Sequence, residues 1–335
     1  MSKKNNLPDE SNLILDMTDI LKSKMIKDYK PGETRRDAHP KTLGILKGAF
    51  TVEEDIPENL KVGVFKEPRK YKSWLRFSNA AGSVTSDKKK DFRGVGIKLI
   101  GVSGERSSEF EQTTQDFLLM TNPTMPLGTV QLFHDAVYYS IVKSPARLLM
   151  HLIATGHGDI LKQIAKGKQN HTSPLDITYW STTPYRLGDT FVKYRIAPTS
   201  SYVSQLPSKL SDNYLTENMQ KHLDKEEASF DFYVQCFKDE ESTPIEDAAV
   251  QWEEEDSPFI KLATITIPVQ NFVSADRLEL GEELSFSPDN ALLVHEPVGG
   301  INRARKAIYA ELSNFRHQRD NRRKYEPTEE DFDRL

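Results

Sequence analysis

Residues 73–100 read SWLRFSNAAGSVTSDKKKDFRGVGIKLI. Two runs of aliphatic, aromatic and β-branched residues, 73–77 and 94–100, flank a stretch of small and charged residues. Strand-like runs separated by a polar turn region are typical of neighbouring antiparallel strands. We therefore expect these two runs to pair in an antiparallel sheet or barrel.

Outside this stretch, the chain continues the same pattern and adds helical segments. Further strand-like runs lie at 48–52, 61–65, 116–119, 190–196, 229–237 and 259–269. Helical periodicity is found at 15–25, at 130–154 with Pro145 as a kink or a second helix start, and at 303–317 with Asn302 as the N-cap. The pattern predicts an α+β fold, with an antiparallel β-barrel, surrounding helices and a single core.

The domain organisation follows from the position of these elements. Residues 1–30 form a polar N-terminal helical extension, and residues 31–317 form one domain, because no biased linker interrupts them. Residues 318–335 are almost wholly charged, and we expect this C-terminal tail to fray or to be disordered.

Composition excludes several classes of protein. The chain has 335 residues and a net charge of -5, with both signs spread along it, which argues against a nucleic-acid partner. The single cysteine, Cys236, excludes an intramolecular disulfide and cysteine-based zinc or iron–sulfur sites. The polar start and the interrupted apolar runs predict neither a secretory signal nor a membrane span, so we expect a cytoplasmic protein.

The C-terminal helix carries the first candidate site. Arg305, Tyr309 and Arg316 follow an i, i+4, i+11 spacing, which brings them to one helical face. A cation one turn away favours the phenolate form of a tyrosine, and a phenolate is a ligand for ferric iron, as in the proximal haem ligand of catalase. An amphipathic surface helix with tyrosine packed on arginine is the alternative.

Two upstream segments could act with this helix. His39 precedes a strand signal, where a neutral imidazole could accept and return a proton. Arg76 and Ser78 alternate onto one face of the strand at 73–77, so that Arg76 could bind a carboxylate and Ser78 could orient His39. Structural or solvent-exposed side chains remain the alternative for each of these residues taken alone.

Taken in order, these segments resemble the catalase superfamily, specifically its small catalase-like haem proteins (catalase-related peroxidases). The resemblance covers about residues 30 to 317 and rests on the matching blocks 36–52, 76–82, 91–98, 179–194 and 286–288, together with Arg305-x-x-x-Tyr309 and Arg316.

The resemblance implies the cofactor and a role for each matching position. Haem b would be buried beside the barrel, with Tyr309 as the axial iron ligand and Arg305 as its charge partner. His39 would be the distal acid–base group, oriented by Ser78. The haem propionates would be held by three arginines: Arg36, Arg76 and Arg316.

The turn after residue 119 departs from the family pattern. Aligned on Pro123, the position of the peroxide-binding asparagine of the family is occupied by Thr121, and Asn122 lies one residue later. The aromatic pair that normally follows is replaced near Met125-Pro126. We assign Thr121 and Asn122 to the catalytic site, with a distal pocket that suits a peroxidase cycle or a bulky hydroperoxide.

The leading hypothesis is thus a haem-dependent enzyme of the catalase or peroxidase type that acts on hydrogen peroxide or on organic hydroperoxides. Two alternatives remain: an enzyme that rearranges fatty-acid hydroperoxides, like allene oxide synthase, and a non-catalytic haem carrier or sensor. We expect a peroxide as small-molecule partner and a homo-oligomer, a dimer.

Overall fold

The structure is a computed structural model that describes residues 9–335. Within this range, nine strands form one antiparallel sheet: β1 Thr42–Val52, β2 Lys70–Asn79, β3 Arg93–Ile100, β4 Thr114–Met120, β5 Tyr179–Trp180, β6 Tyr185–Leu187, β7 Thr190–Pro198, β8 Ala228–Cys236 and β9 Ile260–Ile267. The strand order is β5-β4-β3-β2-β1-β9-β8-β7-β6, and β5 also pairs with β7. This additional pairing closes eight strands into a barrel, with β6 as an extra strand beside β7.

The lumen of the barrel is filled by aromatic side chains, because alternate residues of every strand point inward. Phe117 on β4 lies at the centre, with ring centroids 5.0 Å from both Phe232 and Tyr194 and 5.8 Å from Phe50. A lumen packed in this way leaves no room for a cofactor, so any large ligand must bind outside the barrel.

Eight helices are described around the barrel: α1 Glu10–Asp28, α2 Val130–Val137, α3 Pro145–Ala154, α4 Asp159–Gly167, α5 Tyr214–Leu223, α6 Ala275–Glu283, α7 Gly300–Arg319 and α8 Glu329–Arg334. A π-helical turn, Tyr138–Lys143, joins α2 to α3. Four short 3-10 helices lie at Glu58–Leu60, Gly63–Phe65, Pro174–Asp176 and Leu293–His295.

Two smaller apolar clusters hold the helices in place. Helices α1, α2 and α7 share a cluster that includes Met17, Val130 and Ile308. A second cluster lies on the outer face of the barrel, where Trp74 of β2 packs against α6 and the C-terminal tail. The helices therefore bury their apolar faces partly against each other and partly against the outside of the barrel.

The predicted α+β barrel is confirmed, and most of the predicted strands and helices are present. Three local predictions were wrong: the strand at 61–65, the N-cap of α7 and the disorder of the C-terminal tail. Residues 61–65 are largely 3-10 helical rather than a strand. Helix α7 has Gly299 as its N-cap, and Asn302 is a buried residue of its first turn.

The C-terminal tail, 318–335, is ordered rather than frayed. Its α8 begins with a capping box in which the Thr328 side chain accepts from the backbone N–H of Asp331 and the Asp331 carboxylate accepts from that of Thr328. The ring of Phe332 lies edge-on to Trp74 at 5.0 Å. The charged residues of the tail thus surround one aromatic anchor. The domain boundaries at 30 and 317 remain predictions.

Candidate active site

The outer face of β2 and β3 forms the floor of the candidate site. Arg76 pairs with Gly96 and Ser78 pairs with Gly94, while the intervening Phe77 points into the barrel core. Both polar side chains are buried although they lie outside the barrel lumen. The alternation that Arg76 and Ser78 were predicted to follow is therefore present, and the face they share is covered by other parts of the chain.

The two glycines of β3 allow aromatic rings to pack directly on this floor. A Cβ atom at Gly94 would lie 2.6 Å from Cε1 of His39, and one at Gly96 would lie 2.7 Å from Cδ1 of Phe286. Real Cβ atoms do not approach other atoms so closely, so the absence of a side chain at both positions is what admits the two rings.

His39 lies in the loop just before β1, with a positive φ of 58°. A non-glycine residue in this left-handed region is uncommon, and such strained positions concentrate at functional sites. Its Nδ1 atom lies 3.0 Å from Oγ of Ser78, which is hydrogen-bonding distance. The structure thus brings together two of the residues predicted to act as a pair.

The imidazole of His39 is held in its neutral form. Burial lowers the pKa of His39 to about 3, and three neighbouring guanidinium groups add to the effect: Arg76, Arg305 and Arg36. A positive charge close to an imidazole disfavours its protonation.

Arg36, Arg76 and Arg316 converge at one end of this floor. Arg36 donates to the backbone carbonyl of Gly281 at 2.8 Å, and Arg316 donates to that of Glu282. Arg76 donates to the carbonyl of His39 at 2.7 Å. The backbone carbonyls at the end of α6 and at His39 therefore bind the predicted arginine set.

The charge of this cluster is not balanced. Burial lowers the pKa of Arg76 well below its ordinary value, and the neighbouring Arg36 lowers it further. Burial and Arg36 likewise lower the pKa of Arg316 to about 9. One carboxylate, Glu282, lies among these groups, and their charges hold its pKa below the usual value despite the opposing effect of burial.

Arg76 and Arg316 are buried and Arg36 is half-buried, so three cations face the single Glu282 carboxylate, an arrangement that favours a further anion. In addition, Nε of Arg76 is buried with no hydrogen-bond partner among residues 9–335. Buried donors of this kind are normally satisfied, so this atom points to a missing acceptor. A ligand that carries carboxylates would supply it.

Helix α7 presents Arg305 and Tyr309 on the same face, as predicted. The guanidinium carbon Cζ of Arg305 lies 5.5 Å from the centroid of the Tyr309 ring. Two hydrogen bonds hold the Arg305 side chain in place, because its guanidinium donates to Oγ1 of Thr183 at 2.9 Å and to Oδ1 of Asn302 at 3.0 Å. Burial lowers the pKa of Arg305, but the hydroxyls of Tyr185 and Tyr309 hold it above its ordinary value.

The side chains of this site are half-buried rather than sealed in a core. His39, Arg36, Arg305 and Tyr309 all keep some surface that water can reach. Side chains on the wall of a pocket have this partial exposure. We use the term recess for the region between the outer face of the barrel and helix α7 to which they belong.

Thr121 and Asn122 are engaged within their own turn, directly after β4. Oγ1 of Thr121 accepts from the backbone N–H of Arg93 at 3.0 Å. Nδ2 of Asn122 donates to the carbonyl of Thr124 at 2.7 Å. The hydrogen bonds of these two side chains therefore stabilise the turn and its contact with β3, and they do not reach His39 or Ser78.

Three contributors to this arrangement were not predicted from the sequence: Glu282, Gly94 and Gly96. The two alternating glycines inside a strand were a usable signal, because glycine within a strand often marks a close approach. Glu282 has no comparable signal, since it is one of several glutamates in α6 and only the tertiary fold brings it to the arginines. Among the described residues, no group of three histidine, cysteine, aspartate or glutamate side chains could bind a metal ion.

Comparison with known proteins defines the class of fold. A fungal catalase has a TM-score of 0.67 at 16% identity, and the match covers 88% of this chain and 61% of the catalase. A bacterial catalase has a TM-score of 0.65 at 16% identity, with 98% of this chain and 66% of the catalase covered. Catalase A from Saccharomyces cerevisiae has a TM-score of 0.66 at 16% identity, with 96% and 69% covered.

The protein therefore has a catalase-like α+β fold, in agreement with the resemblance seen in the sequence. The chain spans slightly less than two thirds of the length of the fungal and bacterial catalases that it matches. No family model and no curated protein sequence matches the chain.

Proposed function

We propose that the protein is a haem-dependent oxidoreductase that processes a peroxide, with haem b bound in the recess between the barrel and α7. Tyr309 would bind the iron through its phenol oxygen, and Arg305 would be its charge partner. The carboxylates of the haem would lie against Arg36, Arg76 and Arg316. Haem in this position would supply the iron at which a peroxide O–O bond is cleaved.

The observation that carries this proposal is the contact that Arg36 and Arg316 share with Glu282. Arg316 lies on α7 with Tyr309, at 3.9 Å from the Glu282 carboxylate, and Arg36 lies three residues before His39, at 3.4 Å from the same carboxylate. This contact brings the helix of Tyr309 next to the segment of His39, which supports placing both residues at one haem site. The arginines of the cluster outnumber Glu282, and this excess of positive charge favours an anionic ligand.

The chemistry of Tyr309 and Arg76 is compatible with such a cofactor. Haem iron receives most of its ligands from the porphyrin and needs few from the protein. The phenol oxygen of Tyr309 could be such a protein ligand. Nε of Arg76 is one of several buried donors among residues 9–335 that lack an acceptor, and it lies within the arginine cluster. A carboxylate placed among the arginines would neutralise part of the charge that now depresses the pKa of His39, and so would make the imidazole a stronger base.

His39 would move the proton of the peroxide. The Ser78 hydroxyl lies 3.5 Å from the carbonyl oxygen of Gly94, and its hydrogen can point there. In that arrangement Nδ1–H of His39 donates to Ser78, and Nε2 keeps a lone pair. Nε2 could then accept a proton from one peroxide oxygen and return it to the other, which is general acid–base catalysis.

The positions of Thr121 and Asn122 bear on the kind of peroxide chemistry. Both were assigned to the catalytic site, but their side chains are occupied in the turn after β4. The Asn122 amide group donates to Thr124, and Thr121 offers a hydroxyl rather than an amide to a peroxide. This supports a peroxidase reaction or an organic hydroperoxide substrate over rapid dismutation of hydrogen peroxide.

The test is expression of the full chain with haem supplied, followed by absorption spectroscopy of the purified protein. We expect a high-spin ferric spectrum in the wild type and its loss in Tyr309→Phe. Tyr233→Phe is the matched control, because Tyr233 lies on β8 and bonds to Asp231 away from the recess. A colourless wild-type protein, or an unchanged spectrum in Tyr309→Phe, would refute the proposal.

The reaction type is tested on the same holoprotein with hydrogen peroxide, an electron donor and a fatty-acid hydroperoxide. Oxidation of the donor is the expected result, and oxygen evolution should be slow. Conversion of the fatty-acid hydroperoxide to an epoxide without donor oxidation would favour the rearranging enzyme. A haem-loaded protein that consumes no peroxide would favour a haem carrier or sensor.

A further inference from the structure

Helix α3 exposes an apolar stripe to solvent. Leu149, Met150 and Ile153 are 44%, 60% and 61% exposed, and together with Ala146 they follow the i, i+3, i+4, i+7 spacing of one helical face. The opposite face contacts the protein through Leu152, which is 1% exposed. A helix of a globular protein normally turns such a stripe towards the core, so the orientation of α3 is reversed.

The exposed apolar surface extends beyond α3. Val142, in the π-helical turn that precedes α3, is 48% exposed. π-helical turns inside helices occur frequently at functional sites. Exposed apolar side chains that share one face of a helix often mark a binding surface.

The charges around the stripe are strongly biased. Between residues 138 and 168 the chain has five basic residues and one acidic residue, whereas the whole chain has a net charge of -5. All five basic side chains are exposed: Lys143, Arg147, Lys162, Lys166 and Lys168. We define the basic apolar surface as these five residues together with Val142 and the stripe of α3.

We propose that the basic apolar surface docks on a lipid bilayer that contains anionic lipids. Apolar side chains on one face of a helix, with lysine and arginine around them, are the composition of helices that lie in the plane of a membrane interface. The basic side chains would contact the anionic headgroups, and Met150 and Ile153 would enter the boundary of the acyl chains. No helix among residues 9–335 is long and apolar enough to cross a membrane, so the contact is interfacial.

A second copy of the chain fits this surface less well. A twofold dimer places the same patch of both subunits face to face. Lys143 and Arg147 flank the stripe, and a twofold contact would bring them close to the corresponding side chains of the other copy. Like charges at an interface are unfavourable, whereas an anionic lipid surface complements them.

The end of α4 connects this surface to the turn that contains Thr121 and Asn122. A Cβ atom at Gly167, the last residue of α4, would lie 2.4 Å from the Phe92 ring and 3.0 Å from Oδ1 of Asn122. The segment from α3 to α4 therefore ends against the turn that follows β4. Lipid binding itself does not require haem, so the test of lipid binding is independent of the test of the proposed function.

The experiment is sedimentation of the full chain with vesicles of phosphatidylcholine, with and without phosphatidylglycerol. We expect binding only to the anionic vesicles, and weaker binding in high salt, because added salt screens exposed charges. Each basic side chain of the surface that is removed should weaken binding about fivefold. Absence of binding to anionic vesicles at low salt would overturn the proposal.

Two variants locate the contact. Met150→Asp with Ile153→Asp should weaken binding at least tenfold, since burial of each apolar side chain is lost. Val203→Asp is the matched control, because Val203 is 71% exposed and lies outside this surface. Both sets lie at exposed positions, so circular dichroism should be unchanged. If the double variant bound like the wild type, or if it instead abolished a concentration-dependent dimer, the lipid assignment would be wrong.

Discussion

The imidazole Nδ1 of His39 lies 3.0 Å from Oγ of Ser78, although His39 belongs to a loop with left-handed backbone geometry and Ser78 belongs to the regular strand β2. The hydrogen bond therefore fixes a strained residue to a rigid element. Residues that orient a catalytic histidine through its second ring nitrogen act on its position and tautomer. Ser78 would be such a positioning residue.

Ser78→Ala should lower peroxide turnover by about 10- to 100-fold while the haem spectrum is retained. The pH profile of turnover should also shift, because the imidazole loses the partner that sets its tautomer. Ser73→Ala on the same strand is the control, since Ser73 is also buried but its hydroxyl has no hydrogen-bond partner among the described residues. Equal losses of activity in both variants would assign Ser78 a purely structural role.

Gly94→Ala should displace the His39 ring, because the added methyl carbon would lie 2.6 Å from Cε1 of the imidazole. Overpacking of this kind costs about 1–3 kcal/mol of stability, and turnover should fall at least tenfold. Gly158→Ala provides the comparison, since its added methyl carbon would meet nothing nearer than 3.5 Å. Full activity in Gly94→Ala would show that the His39 ring is not confined by β3.

Acid should destabilise the fold through its buried neutral histidines. Burial lowers the pKa of His39 and of His295 to about 3, and burial together with Arg93 lowers that of His171 to about 4. The ordinary value for an unfolded chain is about 6.5, so below that pH the unfolded chain binds more protons. The contribution of these histidines to stability is therefore complete above about pH 7 and decreases as the pH falls.

The decrease should amount to at most about 1.4 kcal/mol per pH unit for each of these histidines. Urea unfolding at pH 7, 6 and 5 would measure it. His295→Gln should reduce the pH dependence of the unfolding free energy by the contribution of one histidine, because glutamine does not titrate. The glutamine side chain can still accept the hydrogen bond that Nε2 of His295 receives from the backbone N–H of Val64. A wild-type slope in this variant, or equal stability at pH 7 and 5, would contradict the expectation.

Phe332→Ala should cost about 1–2 kcal/mol of stability, less than for a fully buried phenylalanine. Its ring packs edge-on against Trp74, which is fully buried beneath it. Tryptophan fluorescence should shift to longer wavelength as water reaches Trp74. Glu330→Ala in the same helix is the control, and an identical unfolding midpoint for the two variants would mean that the tail contributes little.

The sequence predicted the barrel because its strands follow simple rules. Residues 94–100 and 190–196 combine β-forming side chains with turn signals on both sides, and they lie within β3 and β7. The pairing of Arg305 with Tyr309 was equally accessible, since helical spacing alone places them on one face. These features depend on neighbouring residues in the sequence, so they can be predicted without knowledge of the tertiary structure.

The features that escaped prediction depend on contacts distant in sequence. The tail has a charged composition typical of disorder, but Tyr325, Phe332 and Leu335 pack against the cluster that includes Trp74, which lies far away in β2. Asn302 resembles an N-cap, but its side chain is used in the interior to bind Arg305 and the carbonyl of Pro184. Burial overrides local preference in both cases.

The pairing of β1 with β9 has a consequence for biosynthesis. Residues 49–52 find their partners only at 263–266, so a ribosome that adds about 5–20 residues per second needs on the order of 10–40 s to supply the missing strand. During this interval one edge of β1 offers unpaired backbone groups to any neighbouring nascent chain. Protection by a chaperone should matter most during this interval. The yield of folded protein should therefore fall when ribosomes are densely packed on the same mRNA and chaperones are scarce.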